Sequence, residues 1–230
     1  PFEQQGLSVT MTGRSPSGWP GKPNLRVPGD ISAAAFFLVG GSVVPGSDLT
    51  IREVGINATR SGVLDVLTAM GAKIDILNPR DEAGEPVADL RVQAASLHGV
   101  TIGGALIPRT IDEIPILCVA AGFAQGTTMI TGAGELRVKE SDRIAAIAAA
   151  LKKLGVVVTE QPDGLTIAGI GGAAGRRFTG TACRSYGDHR IAMSLAIASL
   201  VSDAPIHIDD AACIETSFPS FESKLLELLT

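Results

Sequence analysis

Asp30-Ile31-Ser32-Ala33-Ala34-Ala35-Phe36-Phe37-Leu38-Val39 is an acidic residue followed by an almost unbroken apolar run that continues to residue 44. On a wheel of 3.6 residues per turn this run places apolar side chains on every face. No stripe is left for water, so the spacing predicts a helix buried on all sides. Asp30 is read as its N-cap, because a carboxylate there satisfies the unpaired N–H groups of the first turn.

The same layout occurs twice more. Asp112 precedes an apolar run over residues 114–124, and Asp188 precedes one over residues 191–201. Each run is followed by a β-type segment (49–51, 127–131 and 205–208) and then by an amphipathic helix (61–70, 141–154 and 220–229). Gly71 and Gly155 stand where a left-handed C-terminal cap is needed. Candidate hairpins join residues 88–92 to 100–102 and residues 165–167 to 178–183.

The unit therefore reads as strand, helix, strand, helix, strand, strand, with copies over about residues 26–108, 109–185 and 186–230. If three wholly apolar helices lie side by side, the sheets must wrap around them. The fold class expected is α/β: an inside-out, barrel-like domain of three βαβαββ-type units around buried parallel helices. Parallel helices share an N-terminal end, where their dipoles and free N–H groups favour a phosphate or carboxylate.

Composition narrows the function. The chain has 230 residues, 45% of them hydrophobic but only 4% aromatic, which suits closely packed aliphatic layers. A net charge of −5 without blocks of like charge argues against nucleic-acid binding. No apolar run approaches the roughly 20 residues that span a bilayer, and no secretory signal is legible, so the cytoplasm is the default and no membrane partner is expected. Cys118, Cys183 and Cys213 lack the paired spacing of a zinc or redox site; Cys118 reads as a small core hydrophobe. Residues 1–25 are polar and rich in Gly and Pro and read as the tail of another domain, with the main domain running over 26–230.

Charged side chains gather at the expected helix starts: Asp112-Glu113, Lys139-Glu140 with Arg143, and Asp188-His189-Arg190. Helical spacing would let Lys139 and Arg143 share a face. Two readings stand at this point. Lys139, Glu140 and Arg143 are either a solvated, salt-bridged helix start or part of an anion site, and His189 is either a structural hydrogen-bonding residue or a catalytic one. His98 and His207 carry no role in either.

Arg137-Val138-Lys139-Glu140-Ser141-Asp142-Arg143 together with Tyr186-Gly187-Asp188-His189-Arg190-Ile191-Ala192-Met193 closely resembles the paired signature of the shikimate-pathway enolpyruvyl transferases. The segments Val27-Pro28-Gly29-Asp30, Ile111-Asp112-Glu113-Ile114-Pro115 and Thr216-Ser217-Phe218-Pro219 fit the same family in the same order. The forms of the last two are similar to its glyphosate-tolerant class.

The resemblance implies the enolpyruvyl transferase fold and transfer of the enolpyruvyl group of phosphoenolpyruvate to the 5-hydroxyl of shikimate 3-phosphate, without cofactor or metal. By position in the motifs, Glu140 matches the residue that moves a proton to and from the methylene carbon, and Asp112 the one that deprotonates the hydroxyl. Arg143 and Arg190 match phosphoenolpyruvate clamps, Lys139 a substrate-binding lysine, and His189 a residue at the mouth of the site. Two departures stand out. Thr216-Ser217 replaces a lysine common before the Phe-Pro, and the family's N-terminal half, the expected partner of this one, is not in the chain. The chain alone is therefore expected to fold without turning over.

Rival readings are a transferase acting on UDP-N-acetylglucosamine, which lacks the paired signature, an RNA 3′-phosphate cyclase, which needs a nucleic-acid face, and a non-catalytic assembly module.

Overall fold

A computed structural model describes residues 2–5, 8–11 and 26–229. Most of the expected tail over residues 1–25 lies outside the described residues; within it, β1 (Phe2–Gln5) and β2 (Ser8–Met11) pair antiparallel. The first unit then runs α1 (Ile31–Val43), β3 (Asp48–Gly55), α2 (Gly62–Ala69), β4 (Lys73–Glu82) and β5 (Glu85–Gln93). The second holds β6 (Thr101–Ile102), a short α3 (Ile107–Thr110), α4 (Ile114–Phe123), β7 (Gln125–Ile130), α5 (Arg143–Lys153), β8 (Val157–Gln161) and β9 (Gly164–Ile170). The third consists of β10 (Ala182–Cys183), α6 (His189–Ser199), β11 (His207–Ile208) and α7 (Phe221–Glu227). The expected unit bounds at residues 108 and 185 thus shift: β6 belongs to the second unit and β10 to the third, because each pairs with the strand after the next buried helix.

The three apolar runs are helices within two residues of the expected bounds, and they pack against one another pairwise. Every residue of α4 is buried, and in α1 only Ala33 escapes full burial. Cys118 sits within this core. Four phenylalanines, Phe36 and Phe37 of α1 with Phe218 and Phe221, meet edge to face or tilted at centroid distances of 5.6–6.1 Å and seat α7 on α1.

Outside the helices lie the sheets β3-β5-β4, β6-β7-β9-β8 and β10-β11. In all three units the chain before the buried helix pairs in parallel with the strand after it. The pairs are Gly29 with Val54, β6 with β7, and β10 with β11. Helices inside and sheets outside give the inside-out order. Gly71 (φ 91°) and Gly155 (φ 86°) close α2 and α5 in the left-handed region, where a side chain would be strained.

Neither expected hairpin forms. Residues 88–92 pair with β4 and β3, and residues 165–167 with β8 and β7. The partners β4 and β8 lie largely exposed and lack the apolar alternation that marks a half-buried strand. Two-residue turns bring them back instead, at Ala83-Gly84 (both φ positive) and at Pro162-Asp163. The third unit also differs: among the described residues it carries no strand pair after α7.

Burial should separate the elements by stability. Leu117→Ala, in the middle of α4 with no exposed surface, should cost about 2–5 kcal/mol. Val157→Ala, on the largely exposed face of β8, should stay within about 0.5 kcal/mol. Urea unfolding of the two variants checks the ordering.

Candidate functional site

Hydrogen bonds tie together the N-terminal ends of the buried helices. Asp30 caps α1 by accepting from the Ser32 amide (3.0 Å), and Asp188 caps α6 by accepting from the Arg190 amide (2.9 Å). Asp112 does not follow them. It stands in a 3-10 turn, Ile111–Glu113, ahead of α4, where Glu113 holds the N-cap position without a side-chain capping bond. Asp112 is therefore free to face the neighbouring cations.

The segment Arg137 to Arg143 departs from a simple helix start. A 3-10 turn over Gly134–Val138 ends at an extended Lys139, and α5 begins only at Arg143, capped by Asp142 through the Ala145 amide (3.0 Å). Lys139 and Arg143 thus do not share a helical face; the extended turn brings Lys139 and Glu140 to the site. Arg137 anchors that turn, bonding to Asp142, Glu160 and the carbonyls of Gln161 and Pro162.

Arg143 is the hub. Its side chain is 1% exposed. Nε donates to Asp188 Oδ2 (2.8 Å), Nη2 to Glu140 Oε2 (2.6 Å), and Nη1 to Asp112 Oδ1 (3.3 Å). Two more cations approach Asp112: Lys139 Nζ at 3.9 Å from Oδ1, and Arg190, whose Nη2 is 3.7 Å from Oδ2 while Nη1 donates to the Asp112 carbonyl (3.1 Å). Five of the six residues singled out in the sequence are therefore joined directly, and His189 begins α6 beside them. A solvated helix start does not describe this cluster, because Arg143 is buried and paired with three carboxylates.

Arg143 differs from the expected clamp in one respect. Its guanidinium is committed to three carboxylates, whereas Lys139 and Arg190 stand 3.9 and 3.7 Å from the Asp112 carboxylate.

Sequence reading missed Asp188 as a functional partner. Its side chain has no exposed surface and accepts from Arg143, Ser141 Oγ (2.9 Å) and the Arg190 amide. Burial pushes its carboxyl up, but the hydrogen bonds and charge of Arg143 and the other donors prevail and hold it below the usual carboxylate range. A capping role explained Asp188 well enough to conceal the second one. Burial lowers His189, and Arg190 adds to that against the opposing pull of Asp188 and Glu140, so the ring favours its neutral form near pH 7.

A family-wide comparison matches residues 3–225 to EPSP synthase (3-phosphoshikimate 1-carboxyvinyltransferase). A 3-phosphoshikimate 1-carboxyvinyltransferase of Geobacter sulfurreducens is 54% identical over 202 residues, covering 88% of this chain and 46% of that protein. The one from Desulforudis audaxviator is 50% identical over 225 residues, covering 98% and 51%. Among solved structures, EPSP synthase from Acinetobacter baumannii superposes with a TM-score of 0.91 at 40% identity, covering 99% of this chain and 51% of that one. The enolpyruvyl transferase NikO from Streptomyces tendae, at 18% identity and a TM-score of 0.72, shares the fold.

Fold and site thus define a domain of the enolpyruvyl transferase class. The chain belongs to the EPSP synthase family, and it spans about half the length of the curated relatives it matches.

Because Arg143 is fully buried, Asp188→Asn leaves a charge short of its partner and should cost about 3–5 kcal/mol at neutral pH. The sign with pH follows from the depressed carboxyl. Its stabilisation is present above the unfolded value of about 3.9 and is lost as pH falls through the lower folded value. Urea unfolding of parent and variant at a series of pH values should show the gap narrowing in acid.

Proposed function

We propose that this chain forms one wall of a 3-phosphoshikimate 1-carboxyvinyltransferase site, the other wall coming from the N-terminal half of the same cytoplasmic enzyme. The reaction transfers the enolpyruvyl group of phosphoenolpyruvate to the 5-hydroxyl of shikimate 3-phosphate. The observation that carries this reading is a single buried guanidinium, Arg143, holding Glu140 and Asp112 while Lys139 and Arg190 flank Asp112.

The chemistry asks for two carboxyl groups in different roles. Glu140, as the acid, gives its proton to the methylene carbon of phosphoenolpyruvate, and positive charge develops on the adjacent carbon. The 5-hydroxyl oxygen bonds to that carbon as its proton passes to Asp112. In the second half the methyl carbon returns a proton to Glu140, the carbon–oxygen bond to phosphate breaks, and the double bond reforms. Inorganic phosphate leaves, taking up the proton that Asp112 had accepted, so both carboxyls return to their starting states. Lys139 and Arg190 hold the substrate anions, and Arg143 fixes the spacing of the two carboxyls. His189, neutral at the mouth of the site, positions phosphoenolpyruvate.

The test is a fusion of this chain to the N-terminal half of the Geobacter sulfurreducens relative. Phosphate release should require both shikimate 3-phosphate and phosphoenolpyruvate. Glu140→Gln and Asp112→Asn should each lower kcat about 100-fold to 10,000-fold. A folded fusion that releases no phosphate, or releases it without shikimate 3-phosphate, overturns the assignment. The 230-residue chain alone should release none.

A further inference from the structure

Glu113, next in sequence to Asp112, takes no part in the scheme above, yet its carboxyl is buried, with the residue only 2% exposed. Burial pushes this carboxyl up, against the Ser32 hydrogen bond and the positive charges of Arg190 and Arg60. Its hydrogen-bond partner is the hydroxyl of Ser32, in the first turn of α1. Ser32 Oγ in turn accepts from Arg60 Nη2 at 3.0 Å. A guanidinium only donates, so the single hydroxyl proton of Ser32 must point to Glu113. The chain Arg60 to Ser32 to Glu113 therefore has one direction, and it fixes where the Arg60 head group stands.

The backbone under Arg60 is fastened as well. The Arg60 amide donates to the Asn57 carbonyl (2.9 Å), the Thr59 amide to Asn57 Oδ1 (3.0 Å), and Arg109 Nε to the Ala58 carbonyl (2.7 Å). Unlike Arg143, Arg60 keeps most of its donors unspent. Its side chain is 54% exposed, and among the described residues the carboxylate that forms an ion pair with it, Asp30, is 3.9 Å away and itself exposed. Through Ser32 and Glu113, Arg60 is linked to the residue beside Asp112, whose carbonyl accepts from Arg190, so both guanidinium groups are tied to the turn that precedes α4.

We propose that Arg60 is a further anion-binding residue of this wall, held by Ser32 and Glu113 so that its free donors meet a phosphate or carboxylate of the substrates. This rests on the function proposed above. A planar fork of donors held at one edge and open at the other suits such a group. Glu113 is a positioning residue: it touches no substrate and acts through Ser32.

The test uses two arms. In the 230-residue chain, inorganic phosphate is titrated while the Nε–Hε signals of the arginines are followed by NMR. Arg60 and Arg190 should shift along one saturation curve, and Arg60→Ala should weaken phosphate binding about tenfold. If the Arg60 signal stays still, whether or not Arg190 moves, the proposal is overturned.

In the active fusion, Arg60→Ala should raise the KM of one or both substrates about tenfold with kcat within about twofold, and Arg60→Lys should recover part of the loss. The substrate whose KM moves identifies the anion. Ser32→Ala should raise the same KM, and the double variant should be no worse than Arg60→Ala. A fall in kcat at constant KM, or no change in either KM, overturns the proposal. A fusion without activity defeats the functional assignment and this inference with it, whereas a still Arg60 in an active enzyme defeats only the inference.

Discussion

Burying a guanidinium is costly unless its donors are met, and Arg143 is 1% exposed. Asp188, with no exposed surface, meets it, while also capping α6 and accepting from Ser141. One carboxylate thus fastens the start of α5 to the start of α6. Because the other face of the same guanidinium reaches Glu140 and Asp112, the two groups assigned to proton transfer take their separation from a buried pair. The isolated stabilisation of such a pair is secondary to this. An apolar substitute of equal volume could fill the space, but it would leave Glu140 and Asp112 without a common support.

The inside-out fold explains why the site lies where it does. With sheets covering the flanks of α1, α4 and α6, only the helix ends open outward. Their N-terminal ends converge, as the bonds from Ser32 to Glu113 and from Arg190 to Asp112 show. That end combines dipole charge with Lys139, Arg190 and Arg60, and the acidic side chains interleave with them. The two glutamates divide accordingly: Glu140 is half-exposed beside Arg143, whereas Glu113 is buried and bonded to Ser32 of α1.

The buried helices were the most legible part of the sequence, because an all-round apolar run such as residues 31–44 has few other solutions. The site residues were legible as a cluster for a related reason: charges at helix starts stand out against apolar runs. The convergence of Lys139 with Arg143 was foreseen for the wrong reason, since an extended turn and not a helical face produces it. Strand pairing was misread because β4 and β8 lie mostly exposed, so hydrophobic period could not reveal them. Asp188 and Glu113 stood out as charges at helix starts, but nothing in the sequence showed which residues they and Ser32 would meet. Asp188 meets Arg143 45 residues away and Ser32 meets Glu113 81 residues away, and each also suits a capping or surface role.

The loose contacts around Asp112 are as informative as the tight ones. Arg143 lies 2.6 and 2.8 Å from Glu140 and Asp188, but Lys139 and Arg190 stand 3.9 and 3.7 Å from the Asp112 carboxylate. At those distances Lys139 and Arg190 attract the carboxylate by charge without a hydrogen bond to its oxygens, although Arg190 also donates to the Asp112 carbonyl. Arg143 stays where Asp188 holds it, whereas Lys139 and Arg190 are held to the Asp112 carboxylate more loosely. The carboxylate frame is thus fastened by short hydrogen bonds from one buried guanidinium, and Lys139 and Arg190 are the cations held less tightly beside it.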